Sequence, residues 1–136
     1  MIFRDNCVSL LLILQIFVSV FFAILFLQSG FDKIFDWNGN YSWLKTHFEK
    51  SSLKNYVAFL LGTLTFFEIT SGVFSAAGIF ALIFWGNAVF SIYGLLFSAI
   101  SLLCLFFGQR MAKDYAGAAA IVPYFILVVF GIYLFV

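Results

Sequence analysis

Glu68 is the residue with the most chemistry to account for, because it is the only charged residue between Tyr56 and Phe107. A charge at the centre of a bilayer costs about 2.5–3.5 kcal/mol even on lenient insertion scales, so protonation, a partner or water must offset it. Counted from the polar segment that precedes it, Glu68 lies about 12 residues, or roughly 18 Å, into its apolar run. By the same count Gln15 of the first apolar run stands at a similar level, with Ser98 and Tyr124 within a turn or two. The expectation is a protonated Glu68 hydrogen-bonded to Gln15, Tyr124 or Ser98. Two roles fit such a network. It is either the polar end of a pocket for a quinone, lipid or other amphiphile, or part of a proton path, since intramembrane carboxyls are functional by default. Alternatively it is interhelical glue worth about 0.6–2 kcal/mol.

The remaining chemistry-bearing residues are few. Two cysteines, Cys7 and Cys104, form no Cys-x-x-Cys. They stand at opposite ends of their spans, about 25–30 Å apart at helical rise, whereas a disulfide needs Cα atoms within about 7 Å. Dithiol redox catalysis is therefore rejected. Asp36, Asn38 and Asn40 have the alternate spacing of a calcium loop, but Tyr41 stands where that loop requires Gly and His47 where it requires Glu, so no metal site is expected. His47, the one histidine, reads as a residue of an amphipathic helix. Arg110, Lys113 and Asp114 cluster on the same membrane side as Asp32 and Lys33; a solvated loop is the plain reading, and lipid-headgroup binding the alternative. This shortage of catalytic groups argues against an enzyme.

The elements that must position these residues are helices in lipid. Hydrophobic residues are 65% of the chain, charged residues 10%, and there are 21 Phe; a soluble domain of this size has too little interior to hide that surface. The net charge of +1 gives no basic stripe and no support for nucleic-acid binding. Residues 8–29 are uncharged and long enough to cross a core of roughly 30 Å. They exceed the apolar stretch of a signal peptide, so the span is expected to be retained. The block from Tyr56 to Phe107 must fold back on itself, and Phe84-Trp85-Gly86-Asn87 is the break that turn chemistry permits. Spans are thus expected at about residues 56–83, 88–107 and 115–136, with boundaries good to several residues. The polar loop, residues 30–55, holds a turn-rich Asp36–Asn40, then an amphipathic interfacial helix capped by Asn40 or Ser42. Trp43, Leu44, His47 and Phe48 share one face of that helix. In the second span Gly62, Thr65, Glu68, Ser71, Gly72 and Ser75 form a small, polar stripe, as Ser91, Gly94, Ser98 and Ser101 do in the third. Such stripes let helices approach closely in lipid.

Two stretches carry a resemblance. FLQSGFDKIF ends the first span and EITSGVFSAAG lies in the second; together they resemble the DoxX family of small four-helix membrane proteins. The matching residues are Gly30 and Lys33, then Glu68, Gly72 and Gly78. The family name is tied to a quinone-linked oxidoreductase, so a quinone is the cofactor the resemblance permits, although the family's distant relatives work through vicinal cysteines that this chain lacks.

The reading that results is all-α: a four-transmembrane-helix bundle with a short amphipathic segment between helices 1 and 2, in a single domain. The first functional expectation is a non-catalytic accessory subunit or assembly partner of a larger membrane complex, with the lipid bilayer and a membrane protein or a second copy as partners. A quinone-binding or redox-linked protein, or a lipid or solute handler, is the alternative. A bacterial inner membrane is the expected location. Lys33, Lys45, Lys50, Lys54, Arg110 and Lys113 lie on the loop side against Arg4 alone on the other, so the positive-inside rule places residues 30–55 and 108–114 in the cytoplasm. A cysteine introduced at Asn38 is then expected to resist an impermeant thiol reagent in intact cells; labelling from outside would reverse the orientation.

Overall fold

The computed structural model describes residues 2–136, with side chains from residue 10 onward; the side chains of Arg4 and Cys7 lie outside the described residues. Five α-helices follow one another: α1 (Ile2–Phe35), α2 (Trp37–His47), α3 (Val57–Trp85), α4 (Val89–Met111) and α5 (Tyr115–Tyr133), with a 3₁₀ turn at Lys54–Tyr56 before α3. α1, α3, α4 and α5 contain stretches long and apolar enough to span a membrane. Together they form an all-α bundle with α2 as a short helix at one end.

The expected first span stopped at Ser29, but α1 continues to Phe35. Nothing in Gln28–Phe35 breaks a helix: Asp32 and Lys33 are tolerated, and Gly30 alone carries a penalty of about 1 kcal/mol. That glycine also admits a neighbour. A Cβ there would stand 2.8 Å from Ile69 Cγ1, and one on Gly72 2.9 Å from the backbone N of Leu27. These two contacts fix the antiparallel register of α1 against α3.

The turn expected over Asp36–Asn40 is instead helical, because α2 begins at Trp37. Neither Asn40 nor Ser42 caps it. Asn40 Nδ2 donates to the Asp36 carbonyl at 2.9 Å and reaches Asp32 Oδ2 at 3.4 Å, so its side chain ties α2 back to the end of α1. A single residue, Asp36, turns the corner. At the other end of the bundle α3 stops at Trp85, where Gly86 adopts φ 61°. Its N–H donates to the Leu82 carbonyl and that of Asn87 to the Ala81 carbonyl. This left-handed cap needs a residue without a Cβ penalty. Asn87 Oδ1 then accepts from Val89 N at 2.9 Å and starts α4.

α3 packs against α1 on one side and α4 on the other, and α5 closes against α4 and the early part of α1. Val18, Phe22, Phe26, Leu95, Leu102 and Val128 form the buried apolar centre. Buried hydroxyls surround it: Ser19, Ser71, Ser75, Ser91, Ser98 and Ser101 are all inaccessible, while Phe17, Ile24, Phe59, Phe66, Phe80 and Phe84 point outward. Small and polar residues at the helix contacts, with many Phe side chains outside, is the distribution a lipid solvent selects, since close approach and interhelical polar contacts hold such helices together.

Candidate functional site

Glu68 is 1% exposed and faces the end of α1. Lys33 Nζ lies 3.0 Å from Glu68 Oε2, Ser29 Oγ donates to the same oxygen at 3.1 Å, and Lys33 Nζ donates to Ser29 Oγ at 2.8 Å. The three side chains form a closed triangle across α1 and α3. Its geometry follows from helix construction. Side chains lean toward the N-terminus of their helix, so Lys33 reaches back one turn to Ser29 instead of out to the interface, and Glu68 leans toward the loop end to meet it. Glu68 Oε1 is buried without a hydrogen-bond partner.

Glu68 therefore has other partners than those expected. Gln15 Nε2 donates to the Leu134 carbonyl at 2.9 Å and joins α1 to the end of α5. Gln15 is 14 positions before Ser29, which is about 21 Å along α1. Ser98 Oγ donates to the Gly94 carbonyl within its own helix at 2.7 Å. Tyr124 packs its ring against Phe21, centroids 6.2 Å apart. The level count took Ser29 as the end of α1, but α1 runs six residues past it, so Ser29 and Lys33 lie at the level of Glu68 and Gln15 lies deeper. Of the glycines matched to the family pattern, Gly30 and Gly72 sit in the α1–α3 contact and Gly78 against Ser91 of α4.

The second feature is a cavity of about 190 Å³ at the polar-loop end of the bundle. α2 roofs it with Trp43, Leu44 and His47; Leu60, Leu61 and Leu64 of α3 and Cys104, Leu105 and Gly108 of α4 make its walls. The lining is almost wholly apolar. Phe48 is buried at its edge, and the His47 ring stacks on Trp43 with centroids 4.5 Å apart. Two of the lining residues, His47 and Gln109, carry buried polar atoms. Gln109 Oε1 is buried without a partner. His47 Nε2 is likewise buried without a hydrogen bond, with Asp114 Oδ2 3.5 Å away. An apolar recess with a few convergent polar groups is the general form of a small-molecule site. The shared face of Trp43, Leu44, His47 and Phe48 was legible from helical spacing, but the α4 wall was not.

Among the described residues no group of three or more His, Cys, Asp and Glu side chains is placed to hold a metal ion. Comparison of the chain with protein-family models, curated proteins and solved structures finds no match in any of the three.

Proposed function

We propose that this small integral membrane protein binds an amphiphile in the cavity beneath α2, the lipid-handling alternative among the expectations above. The observation that carries the reading is an apolar recess roofed by α2 at the end of the bundle where the polar segment lies, with His47 and Gln109, whose Nε2 and Oε1 lack hydrogen bonds, in its lining. An unsatisfied buried polar group costs about 1–3 kcal/mol; with the side chains turned toward the recess, a ligand hydroxyl supplies a donor to Gln109 Oε1, and an ester or carbonyl oxygen an acceptor for a protonated His47 Nε2. Size narrows the class. A cavity of about 150 Å³ accommodates benzene, so 190 Å³ takes one ring or one segment of a single chain, not a pair of acyl chains. The likeness to DoxX proteins adds a quinone ring as one such occupant. The accessory-subunit reading draws on the outward aromatics, which suit lipid equally well, so it has no observation of its own.

Photolabelling tests the reading. In nanodiscs, a monoacylglycerol carrying a diazirine near its polar end is expected to label Leu60, Leu64 and Leu105 in excess of the outward Phe66 and Phe80. Gly108→Leu fills the recess: a Cβ there meets only Phe48 Cζ, at 3.4 Å, and leucine improves helix propensity by about 1 kcal/mol. That variant is expected to lose the cavity labelling and keep the rest. Equal labelling of cavity and lipid-facing residues in the unaltered protein would sink the proposal.

A further inference from the structure

A second recess, of about 310 Å³, adjoins the first and shares His47 with it. Its character is opposite. Lys50 and Lys113 line it together with Glu49, Thr46 and Ser51, at the junction of the α2 end with the α4–α5 turn. Among the lining residues Lys50 and Lys113 outnumber Glu49 by one charge, with the Asp114 carboxylate beyond the edge against His47, beside an apolar slot one chain wide.

Lys113 reaches this rim from an unusual backbone. It has φ 61° and is the one non-glycine residue in the left-handed region among the described residues. The hydrogen bonds around it, Lys113 N to the Arg110 carbonyl at 3.1 Å and Asp114 N to the Gln109 carbonyl at 2.8 Å, define a helix C-cap of the Schellman type, where glycine is the residue without strain. A lysine occupies the position instead, and that residue belongs to the lining of the polar recess. The same turn carries Asp114, which contacts His47 across the two recesses and caps α5 by accepting from Gly117 N at 3.0 Å. The turn is thus held from both sides, and the exposed Lys113 side chain leaves it.

We propose that the two recesses are one site for a glycerophospholipid: its phosphodiester lies against Lys50 and Lys113, and the start of one acyl chain enters the apolar recess past His47 and Gln109. This rests on the amphiphile reading above and names its headgroup. One phosphodiester carries one negative charge, so it meets less repulsion from Glu49 and the nearby Asp114 than the two charges of a phosphomonoester would. Ammonium donors to phosphate oxygens form charge-assisted hydrogen bonds, and basic side chains at a membrane surface attract anionic headgroups.

Competition against the neutral photoprobe tests this in nanodiscs of an uncharged galactolipid. Phosphatidylglycerol is expected to displace the probe from the cavity about tenfold better than diacylglycerol with the same chains, and phosphatidic acid no better than phosphatidylglycerol. Lys50→Gln with Lys113→Gln is expected to erase the preference and leave neutral probe labelling intact. Lys113→Gly alone is expected to raise the melting temperature by relieving the strained backbone and yet weaken phosphatidylglycerol competition, an outcome that misfolding cannot mimic. Equal competition by phosphatidylglycerol and diacylglycerol would overturn the headgroup assignment and leave the amphiphile reading standing, whereas absence of cavity labelling would remove both. Competition by glycerol 3-phosphate alone would make the polar recess a site for a soluble phosphate and overturn the lipid assignment. A preference unchanged in the double lysine variant would also overturn it.

Discussion

Replacing Glu68 with leucine while Lys33 remains is expected to destabilise the bundle by about 3–5 kcal/mol, the usual loss when one partner of a buried ion pair is removed. Desolvation accounts for more of this loss than attraction does. Lys33 is 14% exposed and its ammonium points back along α1 into the triangle with Ser29. Without the carboxylate it keeps the Ser29 hydroxyl, a long 3.5 Å contact to the Ser29 carbonyl and no countercharge in a medium that solvates ions poorly. Removing both charges, with Lys33→Met and Glu68→Leu together, is expected to recover most of the loss, because well-packed apolar residues often replace a buried pair at little net change. Glu68→Gln should fall between, about 1–3 kcal/mol down, since the amide still accepts from Ser29 and Lys33 but carries no charge. Unfolding in mild detergent, followed thermally or by added SDS, orders the four proteins. If Glu68→Leu alone matches the unaltered chain in stability, the triangle does not hold α1 to α3. Photolabelling in the double variant separates structure from binding: retained cavity labelling makes the pair a brace for the end of the bundle, and lost labelling ties it to the site.

The helices and their inward faces were legible because their signals are local. A charge-free stretch long enough to cross, the Gly86-Asn87 break and the three- and four-residue spacing of Gly and Ser each need only a few neighbours in sequence. Trp43, Leu44, His47 and Phe48 could be grouped for the same reason. The pairing of Glu68 needed something else, namely the axial register of α1 against α3. That register is set where Gly30 meets Ile69 and Gly72 meets Leu27, contacts between residues about forty positions apart in this sequence. Ending the first span at Ser29 hid the signal that was present: Ser29 and Lys33 are one turn apart on a helix that does not stop, and a lysine on that face leans inward. Asn40 misled for a related reason. As a turn former it suggested the start of a helix, but the Asp36 carbonyl and Asp32 carboxylate at the end of α1 offered it better partners. The cavity was hidden for the same cause, because its α4 wall reaches the α2 roof only through tertiary packing.

Gly78→Ala and Gly94→Ala are each expected to lower stability by about 1–3 kcal/mol, the range for overpacking a closed interface, although alanine is the better helix former by about 1 kcal/mol. The conflict is decided by what a Cβ would strike. At Gly78 it would contact the Ser91 hydroxyl and stand 2.6 Å from the Ser91 backbone N; at Gly94 it would contact the Ser75 hydroxyl and stand 2.7 Å from the Ser75 backbone N. A backbone atom cannot rotate away, so α3 and α4 must separate. Separation also disturbs α1, because Ser19 Oγ donates to Ser91 Oγ at 3.2 Å in the same layer. The two glycines face each other's serines across one contact, so the first substitution opens the space the second requires. The double variant is therefore expected to lose less than the two singles combined, the signature of coupled neighbours. Gly62→Ala is the internal control. A Cβ there meets only Trp37 Cη2, at 3.8 Å, so helix propensity is expected to win and stability to rise by about 0.5–1 kcal/mol. Equal tolerance of alanine at positions 62, 78 and 94 would show that α3 and α4 are held apart by more than the structure has them, and that their small residues do not set the helix spacing.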